Sequence, residues 1–478
     1  MPEGLNVAYA PIPRHVPLLR RLLARVFAVL RLLFQGSVRL ASFGLPDAPT
    51  RVPKLEFGCD FAEDFTPPPA GTGALQLTSF DDTGIFQADS VTLPEKEEIR
   101  LVGPFVVLAR GDIVIEGSVL RRAGLEENQD IVLISFEGTV RISGVVGGGS
   151  ALDGSGTPAS PLNLRSGAPG EQGSLTLLRG ISIEIAGIVI GEDGGDGESV
   201  TTSSADRQGR SWAFGGAGGA GGDVLLCAIE GITMSEFARG YAGDGGEGGT
   251  GRATAGPSGN AVGVGGPGHD GGNIVFRGLP ADATCQVVME PGARVVAGNG
   301  GSASSGFAYR NRAIAPESDP GGEGRATGGD AGRGGEVRFE NCTVVRVGRV
   351  ESGNGGIGGG GTAFGGDGGS GPAGRRGGDA IARGGTGGDS GAEPAIPRPD
   401  GTVDRGLRGR PGRGRPVAAI SGAGGRGTAG SGGESGSTSA RGGASGAGRQ
   451  EREFSFPPNP PRDGFGGAGR IVFSKGAN

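Results

Sequence analysis

Apolar residues follow two different rhythms along this chain. In residues 18–34 (LLRRLLARVFAVLRLLF) the rhythm is helical. At 100° per residue, Leu18, Leu19, Leu22, Leu23, Val26, Phe27, Val29, Leu30, Leu33 and Phe34 fill one half of a helical wheel. Arg20, Arg21, Ala24, Arg25, Ala28 and Arg31 fill the other half, with Leu32 the exception. The pattern predicts an amphipathic α-helix, with Pro17 in its first turn and Gly36 as its stop. It is too short and too charged to span a bilayer. Arg25 and Arg31 also interrupt the apolar run that a signal peptide needs. Residues 1–36 thus form a tail and helix, and the proline-rich residues 37–72 a connector.

From about residue 74 the rhythm shortens to that of strands. Val91-Thr92-Leu93, Ile99-Arg100-Leu101-Val102, Phe105-Val106-Val107-Leu108 and Ile131-Val132-Leu133-Ile134 are separated by Gly, Pro or charge. A unit then recurs. It opens on a glycine and a strand at Gly173, Gly222, Gly272 and Gly335, spaced 49, 50 and 63 residues apart. It closes on a corner: Gly191-Glu192-Asp193-Gly194-Gly195, Gly243-Asp244-Gly245-Gly246, Gly298-Asn299-Gly300-Gly301 and Gly353-Asn354-Gly355-Gly356. About twenty residues from opening to corner is the size of one coil of a β-solenoid, whose coils bury their apolar side chains only by stacking.

Glycine-rich excursions join each corner to the next opening strand, and in them glycine comes every third residue. Gly356, Gly359, Gly365, Gly368, Gly371, Gly374 and Gly377 keep that period with a gap at Thr362. Gly256, Gly259, Gly265, Gly268 and Gly271 keep it with a gap at Val262. Three residues per turn is the period of a polyproline-II helix, which makes no internal hydrogen bonds. Bare backbones lying side by side can bond to one another instead. The expected architecture is therefore all-β: a parallel β-helix (β-solenoid) over residues 73–478, sheathed by a polyglycine-II loop bundle and preceded by the N-terminal helix. A long last loop over about 356–461 is expected to return to a closing strand near 470–474.

Composition narrows the function. The chain has 478 residues, 107 Gly, 31 Pro and 5% aromatics, with a formal net charge of −6. Acidity argues against nucleic acid as a partner. Cys59, Cys227, Cys285 and Cys342 contain no C-x-x-C. The last three, spaced 58 and 57 apart, are expected to stack as free buried thiols at equivalent places of the repeat. Only His15 and His269 exist, too few for a Ser-His-Asp or Cys-His engine or a histidine zinc site. Gly218–Asp223 opens a calcium-type nonapeptide, but no tandem copy follows. The corner acids Asp193, Asp196, Asp244 and Glu247 read as solvated corners where Asp or Asn tolerates unusual backbone angles. No catalytic, cofactor or metal residues are assigned.

The strand, G-[ND]-G-G corner and G-x-x-G-x-x loop resemble glycine-rich repeat proteins of bacterial surfaces. The loops are similar to polyglycine-II domains of phage tail-tip adhesins and of a springtail antifreeze protein. The resemblance covers roughly residues 140–478 and implies an extracellular, cell-surface or virion structure. The expectation is a structural, non-enzymatic subunit of an extracellular filament or virion appendage that associates with itself. Leu19, Leu22, Leu23, Val26, Phe27, Leu30 and Phe34 would serve assembly on a neighbour, peripheral membrane contact or capping of the chain's own solenoid. The first rival is an adhesin that meets a cell-surface or glycan receptor through the loop-tip residues Phe307, Tyr309, Arg310 and Arg312. The second is a carbohydrate-active β-helix enzyme using paired carboxylates.

Overall fold

The computed structural model describes residues 65–124, 129–155, 164–204, 209–279, 285–310, 320–370, 374–421, 423, 434–446, 453–456 and 471–474. The predicted helix, with Leu19, Leu22, Leu23, Val26, Phe27, Leu30 and Phe34, lies outside them, as does Arg312. The described residues are all-β, without a helix, and their sheets are mostly parallel.

The largest sheet has 19 strands among the described residues and stacks them in three columns. Column one runs through 84–88, 105–109, 131–135, 176–180, 224–228, 274–278 and 337–340. Column two runs from Ala74–Gln76 through 90–93, 113–115, 139–142, 182–185 and 231–234 to Cys285–Met289 and Cys342–Arg346. Column three runs through 80–82, 99–101, 118–121, 145–147, 188–190, 239–241, 294–296 and 349–351. Period-two alternation sends every second side chain inward. Ile99, Val119, Val146, Val189, Gly240, Val295 and Val350 therefore stand in register, one per rung. The valines of this ladder are at most 3% exposed. Each contributes about 1.5–3 kcal/mol by burial, which no single rung could realise alone.

After column three, from the rung at 145–147 onward, the chain leaves the core. An outgoing arm (such as 242–250) ends in an outer strand, a turn reverses it into a second outer strand, and a returning arm (such as 265–272) leads back to column one. The outgoing strands 200–203, 251–255, 306–310, 361–364 and 417–420 form one parallel sheet. The returning strands 164–166, 211–214, 261–264, 324–327, 380–383 and 438–441 form another. Between them lies a core made mostly of alanine, with Ala213, Ala253, Ala308, Ala326, Ala363 and Ala419 at most 2% exposed. The two sheets approach so closely that a Cβ on Gly263 would strike the backbone of Phe307.

These outer sheets explain two apparent lapses in the glycine period. Thr362 and Val262 lie in the strands Gly361–Phe364 and Ala261–Val264, where arm gives way to sheet. They also correct the reading of 356–461 as one long loop. That stretch holds ordered arms and the strands Gly361–Phe364, Ala380–Arg383, Ala395–Pro397, Val403–Arg405, Val417–Ile420, Thr438–Arg441 and Glu453–Phe456. The last strand, Ile471–Ser474, pairs antiparallel with Val417–Ile420 in the outgoing sheet and does not return to the large one. Glu453–Phe456 does the same for the returning sheet, against Thr438–Arg441.

The cysteines divide. Cys285 and Cys342 pair in register in column two as buried free thiols. Cys227 sits in column one opposite Arg277 and is disulfide-bonded, so equal spacing did not mean equal place, nor a free thiol at all three.

At the C-terminal end, a two-stranded antiparallel hairpin (Ala395–Pro397 with Val403–Arg405) covers the large core. Its Ile396 is 2% exposed and belongs to the same apolar cluster as the valine ladder. Arg398 donates to the carbonyl oxygens of Val344 and Val345 at the end of column two.

Candidate interaction surface

The arms are where the backbone chemistry is most demanding. Gly243 N–H donates to the Gly222 carbonyl of the preceding returning arm at 3.0 Å, and Gly246 N–H to Gly219 at 2.8 Å. Gly245 N–H donates to Asn299 of the next outgoing arm at 2.8 Å, and Gly248 N–H to Ser302 at 2.9 Å. In this arm the remaining residue of each triplet has its N–H satisfied by a side chain one rung earlier. Asp244 donates to Asp193 Oδ1 at 2.7 Å, Glu247 to Asp196 Oδ1 at 2.7 Å, and Thr250 to Ser199 Oγ at 2.9 Å. Asn299 donates in turn to Asp244 Oδ1, Asn354 to Asn299 Oδ1, and Arg410 to Asn354 Oδ1. From Gly243 to Thr250 every backbone donor thus has an acceptor, as buried backbone groups require.

At two of three positions, not one, most arm residues leave no room for a side chain, with Ala303, Ser304 and Ala331 as exceptions. A Cβ on Gly243 would run into the Glu192 carbonyl oxygen, and one on Gly245 into that of His269. In the last outgoing arm among the described residues (408–416) the position equivalent to Gly245 is Pro411, which has no N–H to offer a following rung.

The third position points to solvent and lines up by rung. One row reads Asp193, Asp244, Asn299, Asn354, Arg410. Beside it stand Asp196, Glu247, Ser302, Ile357 and Arg413. With the outgoing arms numbered in chain order (148–155, 191–199, 242–250, 297–305, 352–360 and 408–416), the face is acidic on the second and third, neutral on the fourth and fifth, and basic on the sixth. The corner acids Asp193, Asp196 and Asp244 therefore brace the next rung. None of them has the positive φ that a tight corner would need, since among non-glycine described residues only Asn341 does. Asp223 of the calcium-type nonapeptide plays the same part, accepting from Asn273 N–H at 2.6 Å.

Desolvation, with the neighbouring charges of Asp244 and Glu192, raises the Asp193 pKa above the usual aspartate value, against the lowering effect of its bond from Asp244. A raised folded-state pKa means that the native state holds its proton more tightly, so stability falls as pH rises through the carboxylate range. Asp193→Asn keeps the accepting oxygen and removes the charge. It should melt higher than the parent at pH 7, by under about 1 kcal/mol, with the difference closing below about pH 4. Parallel thermal melts across that range check it.

The sequence-predicted tip residues lie on a strand. Phe307, Tyr309 and Arg310 belong to Gly306–Arg310, the third strand of the outgoing sheet, half-buried. The Phe307 and Tyr309 rings are nearly parallel, with centroids 6.0 Å apart, and Tyr309 stacks on Phe364 of the next strand at 5.2 Å. Arg252 of the preceding strand lies over both Phe307 and Tyr309, at 5.4 and 5.2 Å from the centroids. Arg310 turns back, donating to the carbonyls of Gly256, Pro257 and Gly259 in the previous turn. Desolvation lowers its pKa to about 10, against the pull of Asp367. Sequence reasoning missed Arg252, Ile357, Phe364, Arg410 and Arg413, because only the register brings them onto one face.

Chemistry is elsewhere sparse. Arg121, 6% exposed, donates to the carbonyls of Gln129, Ile190 and Leu175 and to Thr176 Oγ1, at 2.7–3.0 Å. It clamps the place where the first excursion leaves and rejoins the core. Burial lowers its pKa to about 10, partly offset by Glu192 and Asp130. Those two carboxylates accept from Ser174 and Leu175 N–H, so they serve the junction. His269 is 4% exposed and accepts the Asp270 N–H through Nδ1. Among the described residues no group of three His, Cys, Asp or Glu is placed to hold a metal ion. No protein-family model, curated protein or solved structure matches this chain.

Proposed function

We propose that the chain is a structural protein, a rigid subunit of an extracellular or virion appendage. In this reading the three columns are a β-solenoid and the arms a two-layered slab of polyglycine-II helices. The carrying observation is the unbroken lattice of backbone bonds running from the large core through the arms to the outer sheets. Ordering glycine is entropically expensive, at about 1–2 kcal/mol per residue or more. A lattice that satisfies up to three donors per triplet offsets that cost and yields stiffness, with no binding cleft needed.

The capped C-terminal end refines the reading. Hairpin, antiparallel outer strands and Pro411 together close that end against another copy, so growth by stacking there is disfavoured. The subunit is a finished tip or a side-by-side element, not a link in an end-to-end stack. Immunogold labelling of intact cells or virions with an antibody to the purified chain tests this. Label on a surface appendage supports it; label confined to the cytoplasm refutes it.

A further inference from the structure

We infer that the face made by the outgoing arms and the outer side of their sheet binds a second copy of this chain about a two-fold axis lying parallel to the arms. The inference rests on the structural reading above and names the partner and the surface.

Charge and register carry it. Such an axis keeps position along an arm but reverses the order of the rungs. Placed between the fourth and fifth outgoing arms, it sets the third arm of one copy against the sixth of the other. Asp244 then faces Arg410 of the second copy and Glu247 faces Arg413, and each pairing occurs twice. The fit needs no adjustment along the arm. Asp244 and Glu247 are three residues apart, as are Arg410 and Arg413, so both pairs are spaced by one turn of ~9 Å. All four side chains lie on exposed residues.

The same axis gathers the apolar groups of this face at its centre. Ile357, 43% exposed on the fifth arm, comes against Ser302 on the fourth. Tyr309, on the strand that follows the fourth arm, meets Phe364, on the strand that follows the fifth, with Phe307 beside them. An apolar, aromatic centre with charge at the flanks is the anatomy of a specific interface. The available area is sufficient. Nine arm residues plus a short strand span ~43 Å, and the four paired arms together span ~19 Å, giving roughly 800 Å² per copy, the size specific complexes bury.

The test is sedimentation of the purified full chain over a range of protein and salt concentrations, with folding checked by circular dichroism melts. The parent should form a dimer that weakens as salt rises. Glu247→Arg and Arg413→Glu should each weaken it by roughly tenfold or more without moving the melt, since both side chains face solvent. The double variant should restore it, because each swapped charge meets its swapped partner. Tyr309→Ser should weaken it in high and low salt alike. A chain that stays monomeric at 100 µM and low salt, or a dimer indifferent to both single charge reversals, overturns the inference. Either failure leaves the appendage reading to be judged by the labelling experiment, which does not depend on dimerisation.

Discussion

Gly246→Ala will destabilise this protein far more than Glu247→Ala, although the residues are neighbours and the first change adds only a methyl group. A Cβ at Gly246 would fall on the carbonyl oxygen of Gly195, closer than real carbon contacts occur. The obstacle is backbone held on both sides, so no side chain can swing aside. Relief requires prising the second and third outgoing arms apart, which stretches Gly194 N–H···O=C Asp244 and Gly197 N–H···O=C Glu247. Overpacking costs ~1–3 kcal/mol and each weakened bond about 1 kcal/mol more, so a loss of several kcal/mol is expected. Glu247 faces solvent, and its replacement should stay within about 0.5 kcal/mol. Chemical denaturation of the two variants side by side checks the contrast. Similar midpoints for both would mean that the arms are not close-packed.

The same contrast shows what was legible in the sequence. The strands of the large sheet were readable, because Val, Ile and Leu alternate in runs such as Ile131–Ser135 and Thr139–Ile142. The opening glycines and the corners were readable because they repeat. The outer sheets were not. Their cores are alanine, their strands mostly four or five residues long, and their composition merges with the arms on either side. Ala-x-Ala at 253–255 and 380–382 was the available signal, weak because alanine carries so little β preference. The two-fold demand for glycine was hidden for a related reason. A triplet period is visible in one dimension, whereas the count of excluded positions depends on how many neighbours each arm has. The face bearing Asp244, Ile357 and Arg410 was invisible, since its successive rungs are about 55 residues apart in the chain and meet only through register.

Removing the hairpin should have the second large effect. Replacing residues 393–406 by a short flexible linker uncovers the end of the large core and exposes the last strands of columns one and two. Ile396 alone contributes about 2–5 kcal/mol if judged by truncation to alanine, and Ile396→Asp would bury an unpaired charge. Exposed, flat, apolar edges template further strand pairing. The expected result is a lower melting temperature together with concentration-dependent association that salt does not relieve. That last property separates it from the salt-sensitive pairing of the outgoing-arm face. Light scattering during a thermal ramp reads both. A hairpin deletion that stays monodisperse and melts with the parent would show that the cap is dispensable.

Pro411 has a consequence for how such a chain can lengthen. Each arm hands its spare donor forward to the arm that follows, so the lattice has a direction, and proline can occupy that place only where nothing follows. A duplicated unit of 50 residues, the distance from Gly222 to Gly272, could be spliced in upstream of residue 407 and find partners waiting on both sides. The same unit appended behind the final arm would meet a ring nitrogen with no proton to give. Variation in size within this architecture should therefore arise by insertion into the interior, with the terminal module carried along unchanged.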